Sequence, residues 1–319
     1  MASSLDITAL PEYFEQRTDI LRKSVIGAKS IGLFSLQTGI KTKAALNLLT
    51  TDVTFGDGKA CGWNPAGKQK VTQREISTGN IKVEMEYCAN ALLDTWMQRE
   101  IEIMAERESL PFEETFVNAV IEDIQAKLEK AIYSGNTSQT GNANLKWFDG
   151  LIKILTADGE SEDVSSAGDI YSQIEAIWGA IPYEAYEMGD VAILVGYDAY
   201  QRFMANLVRK NLFHYDPADG EGVLRFPGST VKVIAVPGLN GTNKAIAGSM
   251  RNIIYGTDLR DSREKAEMWY DKTADDFKLR VRFNAGVQVA FPDEMVIATI
   301  DPTATADAQA DAQADADEE

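Results

Sequence analysis

Histidine occurs once in the 319 residues, at His214, and cysteine twice, at Cys61 and Cys88. Two cysteines make neither a disulfide framework nor a four-ligand zinc site, so neither device is expected to hold this fold together. No run of eighteen apolar residues exists, which leaves no candidate transmembrane helix. The opening stretch, MASSLDITALPEYFEQR, carries acids and no apolar h-region, so no secretory signal peptide is expected. What is present is 45% hydrophobic and 25% charged, the balance of a soluble, intracellular globular protein able to bury a core.

Catalytic constellations are missing too. His214 sits between Phe213 and Tyr215 before an Asp-Pro turn, with no nucleophile or second ligand motif beside it, so it reads as a surface or packed residue. Gly58-Lys59 is followed by alanine and lacks the spacing of a phosphate loop. No G-x-G-x-x-G follows a strand and no H-E-x-x-H occurs. The carboxylates of Asp158–Asp163 match no defined ion loop and read as an exposed acidic turn. The five tryptophans (Trp63, Trp96, Trp147, Trp178, Trp269) are scattered rather than interleaved with bases, so no stacking platform for single strands is formed. The chain is not expected to be an enzyme, and no cofactor or metal is expected.

The net charge of −18 is unevenly spread. Arg17–Lys82 holds eleven basic residues against four acids, a segment of +7, which leaves −25 on the rest. A chain built this way can complement a copy of itself. From Asp301 onward, DPTATADAQADAQADADEE has seven acids, no base and nothing apolar larger than proline. Such a segment cannot bury enough surface to offset its ordering entropy, so a disordered acidic tail is expected to start near Asp301.

Between these ends the periodicity changes several times. Residues 1–50 recur in glycine, serine and threonine around Gly27, Gly32 and Gly39, which favours extended or irregular backbone. Thr51–Tyr87 holds two alternating β-like runs, Lys70–Ile76 and Asn80–Tyr87, with a Gly- and Pro-rich tip at Gly56–Gly67 lying between Val53–Phe55 and the first of them. A ribbon of this kind needs a second surface, of its own body or of a neighbour. Helical spacing follows over Ala89–Glu106. From Pro111, Phe112, Phe116, Val120, Ile124, Leu128 and Ile132 then recur every fourth residue until Gly135. Residues 168–248 read as an α/β unit: helix Ile170–Ile181, strand Val191–Val195, helix Asp198–Val208 and strand Thr230–Val236. Arg251–Asp258, a helix or bend at Ser262–Met268, and an alternating pair, Phe277–Asn284 and Val287–Pro292, joined through Ala285-Gly286, close the chain.

This order resembles the major capsid protein of tailed bacteriophages, a fold shared with encapsulin shells and the floor of herpesvirus capsids. Residues 112–133 look like the long spine helix. Trp147-Phe148-Asp149-Gly150-Leu151 looks like the aromatic-x-Gly-Leu step after it, and the helix–strand–helix at Tyr171–Phe203 resembles the axial domain. Val231–Gly238 resembles the axial strand ending in Pro-Gly, and Asn252–Leu259 with Phe277–Pro292 look like the closing strands of the peripheral domain.

The resemblance implies an α+β fold divided into an N-terminal arm (1–50), an extended β-ribbon loop (51–87) and a peripheral domain (88–167) with its spine helix at 112–134. An α/β axial domain (168–250), return strands of the peripheral domain (251–300) and the acidic tail (301–319) would follow. It further implies a structural virion protein that self-assembles as hexamers and pentamers into an icosahedral shell around double-stranded DNA, formed in the host cytoplasm. Portal, a separate scaffolding protein and decoration proteins would be its other partners. Packaged DNA would be held weakly and non-specifically, and no membrane is involved. The extended loop would lie on an adjacent subunit through Phe55, Lys59, Trp63, Lys68, Lys70 and Arg74, and the arm would contribute Arg17, Arg22, Lys23 and Lys29. Lys59, Lys68 and Lys70 are also where a lysine–asparagine crosslink to a neighbour would start.

Two rivals stand beside this reading: an encapsulin-type shell enclosing an enzyme, and a monomeric α/β enzyme or binding protein using the 168–248 unit. Removal of residues 302–319 is expected to leave the melting temperature nearly unchanged. A large drop in a thermal melt would show a docked tail.

Overall fold

A computed structural model describes residues 28–55, 67–88, 112–212, 222–258, 266–271, 273 and 276–303. In chain order the strands are β1 (Ser35–Thr38), β2 (Lys43–Asp52), β3 (Lys68–Ser77), β4 (Gly79–Cys88), β5 (Glu160–Asp163), β6 (Val191–Val195), β7 (Val223–Arg225), β8 (Lys232–Ala235), β9 (Lys244–Ser249), β10 (Ile253–Thr257), β11 (Ala266–Asp271), β12 (Asp276–Val289) and β13 (Met295–Thr299). The helices are α1 (Phe112–Ser134), α2 (Leu151–Asp158), α3 (Ile170–Ala180), α4 (Tyr183–Met188) and α5 (Tyr197–Arg209). The helix expected over Ala89–Glu106, the loop tip at 56–66, His214, and residues 1–27 and 304–319 lie outside the described residues.

The six-stranded sheet, in order β5-β13-β9-β6-β8-β7, takes its position from strands that are apolar on both faces. In β6, Ile193 and Val195 point one way and Ala192 and Leu194 the other, as the two-residue strand period requires. One face packs on α3 and α5 through Ile170, Ile174, Ile177, Phe203 and Leu207. The other packs on α1 and α2 through Leu128, Ile132, Leu151 and Leu155. Burial on both sides explains why VAILV and MVIAT read as unbroken apolar runs.

Helix α3 begins at Asp169, whose carboxylate accepts from the Ser172 amide at 3.0 Å and its hydroxyl at 2.7 Å. Lys210 reaches the same carboxylate at 3.0 Å. At the far end of the sheet, fully buried Gln173 accepts from the Asp301 amide at 2.9 Å, and Pro302 is buried. The chain is therefore held to the body through Asp301 and Pro302, past the expected start of the tail.

A five-stranded sheet holds the other side of α1. Its path is β1-β10-β12-β11, with β4 also paired to β12. Residues 276–289 form one continuous strand, which corrects the expectation of two strands turning at Ala285-Gly286. Gly286 stands opposite Gly256 in register. A Cβ on Gly286 would lie 2.4 Å from the Ser77 carbonyl oxygen, so glycine serves a close backbone approach here rather than a turn. Residues 266–271, expected as helix or bend up to Met268, form strand β11 against β12.

The ribbon is also paired differently from expectation. β3 pairs with β2, from Lys43 opposite Ser77 to Asp52 opposite Lys68, so the first strand of the ribbon lies mostly in the stretch assigned to the arm, where extended or irregular backbone was expected. β4 leaves the ribbon and pairs with β12 from Asp276 opposite Cys88 to Ala285 opposite Gly79. The reason is its alternation: Ile81, Val83 and Met85 pack on the core of α1 and β12, while Lys82, Glu84 and Glu86 face solvent.

Burial alone would raise the Asp169 carboxyl, but its bonds from Ser172 and Lys210 outweigh burial and hold it below the ordinary carboxylate range. A group depressed in this way stabilises the fold above its unfolded value, about 3.9, and loses that contribution as pH falls through the folded value. Asp169→Ala is expected to cost about 1 kcal/mol at neutral pH as a lost cap. The gap between variant and wild type in thermal melts should close on acidification; a gap that is constant with pH would contradict this account.

Candidate assembly interface

The β2–β3 ribbon roots in a small apolar cluster of Ile40, Leu46 and Ile76, packed by Ala44 and Ile254. Glycine makes the room: a Cβ on Gly256 would meet the Cδ1 atoms of Ile40 and Ile76, both at 2.8 Å. Backbone bonds lock the neck, with the Thr78 amide donating to the Thr42 carbonyl at 2.8 Å and the Ile40 amide to Thr257 at 3.2 Å. Gln288 on β12 donates to the Glu75 carbonyl at 2.9 Å.

Beyond the root the ribbon separates into two faces, because cross-strand partners share a side. The face that begins with Ile76 and Leu46 continues through Arg74 and Thr72 to Lys70 and Lys68, which are exposed. The opposite face carries Glu75, paired with Lys43, then Gln73 bonded to Asn47 at 3.1 Å, then Leu49 directly opposite Val71. Leu49 is 61% exposed and Val71 70%. Past the end of β2, Phe55 is 95% exposed. An apolar cross-strand pair with nothing over it among the described residues, on a two-stranded ribbon, is an unfinished contact.

The proposed contact residues fall into three groups. Phe55, Lys68 and Lys70 stand free of the body on the ribbon. Arg74 and Lys29 are engaged within their own chain. Arg74 meets Asp158 at the end of α2 at 2.7 Å, while its buried Nε has no partner among the described residues. Lys29 donates to the Tyr197 hydroxyl at 2.7 Å and lies 5.0 Å from that ring's centre. Lys59, Trp63, Arg17, Arg22 and Lys23 lie outside the described residues.

Leu49 and Val71 were missed at the sequence level. The alternation of Ala44, Leu46 and Leu48 was the available signal for a first ribbon strand, and with it the opposite face at Leu49 becomes visible.

The outer face of the five-stranded sheet is charged and internally paired. Glu84 bridges Lys82 at 2.8 Å and Arg280 at 3.0 Å, and Arg280 lies 5.1 Å from the Trp269 ring. Clefts open on the body among the described residues. One of about 260 Å³ lies between β4 and α1 beneath Trp147, and one of about 470 Å³ lies beside Tyr186, Asp190 and Met250. Neither lining contains a histidine or cysteine. Among the described residues, no three His, Cys, Asp or Glu side chains gather as a metal site, and no helix is long and apolar enough to cross a membrane.

Solved structures share this fold. A chain of the satellite phage P4 procapsid, in a structure that includes the size determination (Sid) protein, superposes with a TM-score of 0.59 at 12% identity, covering 90% of this chain and 98% of that one. The fold is that of phage major capsid proteins. A chain of Microbacterium phage Oxtober96 gives 0.54 at 14% identity, over 86% and 91% of the two chains. The virus-like particle from Pyrococcus furiosus gives 0.52 at 13% identity, over 90% and 99%. No protein-family model matches the sequence, and no curated protein matches it. The major capsid fold accounts for the α+β architecture read from the sequence.

Ile76→Ala is expected to weaken the ribbon root by roughly 2–5 kcal/mol, the usual range for truncating a buried isoleucine. Hydrogen exchange should rise in β2 and β3 and remain unchanged in β6 and β9. An equal rise throughout would show that the ribbon and body unfold as one unit.

Proposed function

We propose that this chain is the shell subunit of a tailed phage, assembling as hexamers and pentamers into an icosahedral capsid around double-stranded DNA. The single observation that carries the reading is a ribbon, rooted on a capsid-fold body, whose outer face ends in the uncovered pair Leu49–Val71. A neighbouring copy would cover that pair. On the opposite face, the basic ribbon residues Lys68 and Lys70, together with Lys59, Trp63 and Phe55 at the tip, would reach the acidic surface of an adjacent copy. Opposite charge on the two surfaces supports that fit, and it would set assembly rate and register more than raw affinity. Arg74, Lys29 and the arm residues Arg17, Arg22 and Lys23 belong to the same proposed contact region, with Arg74 and Lys29 acting through the elements they hold in place.

The chain would divide into arm, ribbon, peripheral domain, axial domain, return strands and tail as the resemblance implies, with the ribbon beginning at Lys43. Portal, scaffolding and decoration proteins would complete the particle in the host cytoplasm. A chain that carries −25 outside its basic segment, tail included, would confine DNA rather than grip it. A shell holding a protein cargo is the second reading, supported by the likeness to a virus-like particle; the nucleic-acid content of purified particles separates the two.

Deleting Gly56–Gly67, or replacing Leu49 and Val71 together by Asp, is expected to leave the melting temperature of the subunit nearly unchanged and to abolish closed shells in negative-stain micrographs. Normal particles from both variants would overturn the ribbon assignment. Wild-type assembly should fall with added salt, since exposed charges farther apart than the screening length, about 8 Å at physiological ionic strength and shorter as salt rises, no longer attract.

A further inference from the structure

Asn-Gly occurs once in the sequence, at Asn240-Gly241. It follows the turn Pro237–Leu239 that leads from β8 to β9, and both residues are exposed. The dipeptide carries a chemical liability. Glycine has no Cβ to shield its amide nitrogen, so that nitrogen can attack the preceding asparagine side chain.

Here the turn is clamped to the start of α5 by two crossed hydrogen bonds. Gly196, at the N-cap of α5, has no side chain to offer the helix. The Tyr197 amide donates instead to Asn240 Oδ1 at 2.6 Å. In return the Gly241 amide donates to Asp198 Oδ2 at 3.2 Å. A Cβ on Gly196 would lie 3.0 Å from the Leu239 carbonyl oxygen and 3.2 Å from Asn240 Cα, so the two backbones are in close contact. The other side of the turn presses on α1. Leu239 is buried, and a Cβ on Gly238 would lie 2.5 Å from the Glu129 carbonyl oxygen and 2.3 Å from the Tyr133 ring. One turn thus joins α5 to α1.

The same clamp controls reactivity. Ring closure needs the Gly241 nitrogen to eclipse Asn240 Cβ about the Cα–C bond, and a ψ of 128° turns it well away. Bringing the nitrogen round would draw its N–H from Asp198 and the Asn240 side chain from Tyr197.

We propose that Asn240-Gly241 is a fold-gated deamidation site: clamped to α5 it is inert, and once opened it converts irreversibly to aspartate or isoaspartate, which loosens the joint between α5 and α1.

In the open turn the Gly241 nitrogen loses its proton to hydroxide and bonds to Asn240 Cγ. The Cγ–Nδ2 bond breaks, and Nδ2 leaves as ammonia with a proton taken from water. Water then opens the succinimide. Attack at Cγ gives aspartate, and attack at the former main-chain carbonyl gives isoaspartate. In isoaspartate the carbonyl that accepted from Tyr197 has become part of the main chain, which runs through one extra carbon. That added length falls next to Leu239 and Gly238, where α1 leaves no room.

Incubation of the full chain at mildly alkaline pH, with peptide mapping that resolves asparagine, aspartate and isoaspartate, tests this. Conversion at Asn240 is expected to be at least about tenfold slower in the native chain than in guanidinium, because reaction waits for local opening. The opening constant from hydrogen exchange of the Gly241 amide, multiplied by the denatured rate, should reproduce the native rate. Asp198→Ala removes half of the clamp and should speed native conversion several-fold, whereas Asp198→Asn keeps an acceptor and should change it little. Equal rates in native and denatured chain would overturn the proposal. So would an Asp198→Ala rate no faster than wild type, a slower one marking Asp198 as the base that activates the amide. Should Asp198→Ala fail to fold, the match between native rate and opening constant decides alone. Chain enriched in isoaspartate should exchange faster than fresh chain at the Tyr197 and Leu239 amides; identical exchange would overturn the loosening.

Discussion

At Gly286 the Ser77 carbonyl comes so near the backbone of β12 that a single added Cβ would stand 2.4 Å from it, and at Gly256 two isoleucines fill the same trough. This crossing is where the ribbon meets the body. Two glycines facing each other across β10 and β12 let Ile40 and Ile76 sink to the sheet, and the resulting cluster is the last fully buried part of the ribbon. Everything further out along β2 and β3 depends on it for direction. The ribbon's own ladder makes a strip, but a two-stranded strip has no core of its own. Its aim relative to the body is decided by where its base is pinned.

The body supplies a rigid base for that pin because α1 serves both sheets. Its stripe from Val120 to Ile132 packs on Leu279, Val281 and Phe283 of β12 and on the inner face of the six-stranded sheet. Gly135 and Gly150 then let the chain double back tightly: the Gly150 amide donates to the Gly135 carbonyl at 2.8 Å, and a Cβ on Gly150 would lie 2.6 Å from the Tyr133 carbonyl. Asp149 ties off this corner through the Thr137 amide and hydroxyl, each at 2.8 Å, and Lys153 at 2.7 Å. The aromatic-x-Gly-Leu step read from the sequence is thus a packing requirement. Only glycine fits where two backbones approach so closely.

Two of the proposed contact residues are held by their own chain. Arg74 bridges the ribbon to Asp158, and Lys29 bridges the entering turn to Tyr197. Both are basic residues in a basic segment, and composition cannot separate a cation that braces its own fold from one left for a neighbour. The separation follows from distance along the ribbon. Arg74 is on the side toward the body, close to the root, whereas Lys68 and Lys70 share its face but stand beyond the reach of α2.

Local period and apolar spacing were determined by the sequence alone. The fourfold stripe of α1, the two-faced apolar runs of the six-stranded sheet and the alternation in β3, β4 and β12 are each legible without a partner, because they record which side of an element avoids water. So was the order of elements that carries the resemblance to capsid proteins. Partner and register were decided only in three dimensions. Alternation states that Ile81, Val83 and Met85 share a face but not that β12 lies beside them, nor that Lys43–Asp52 is the strand opposite β3. Ala285-Gly286 has the composition of a turn and the role of a close approach, a distinction made by Ser77, more than two hundred residues away in the chain. A strand's hydrogen-bonding edges are the same backbone whatever its side chains are, so the choice of neighbour falls to the packing of the whole molecule.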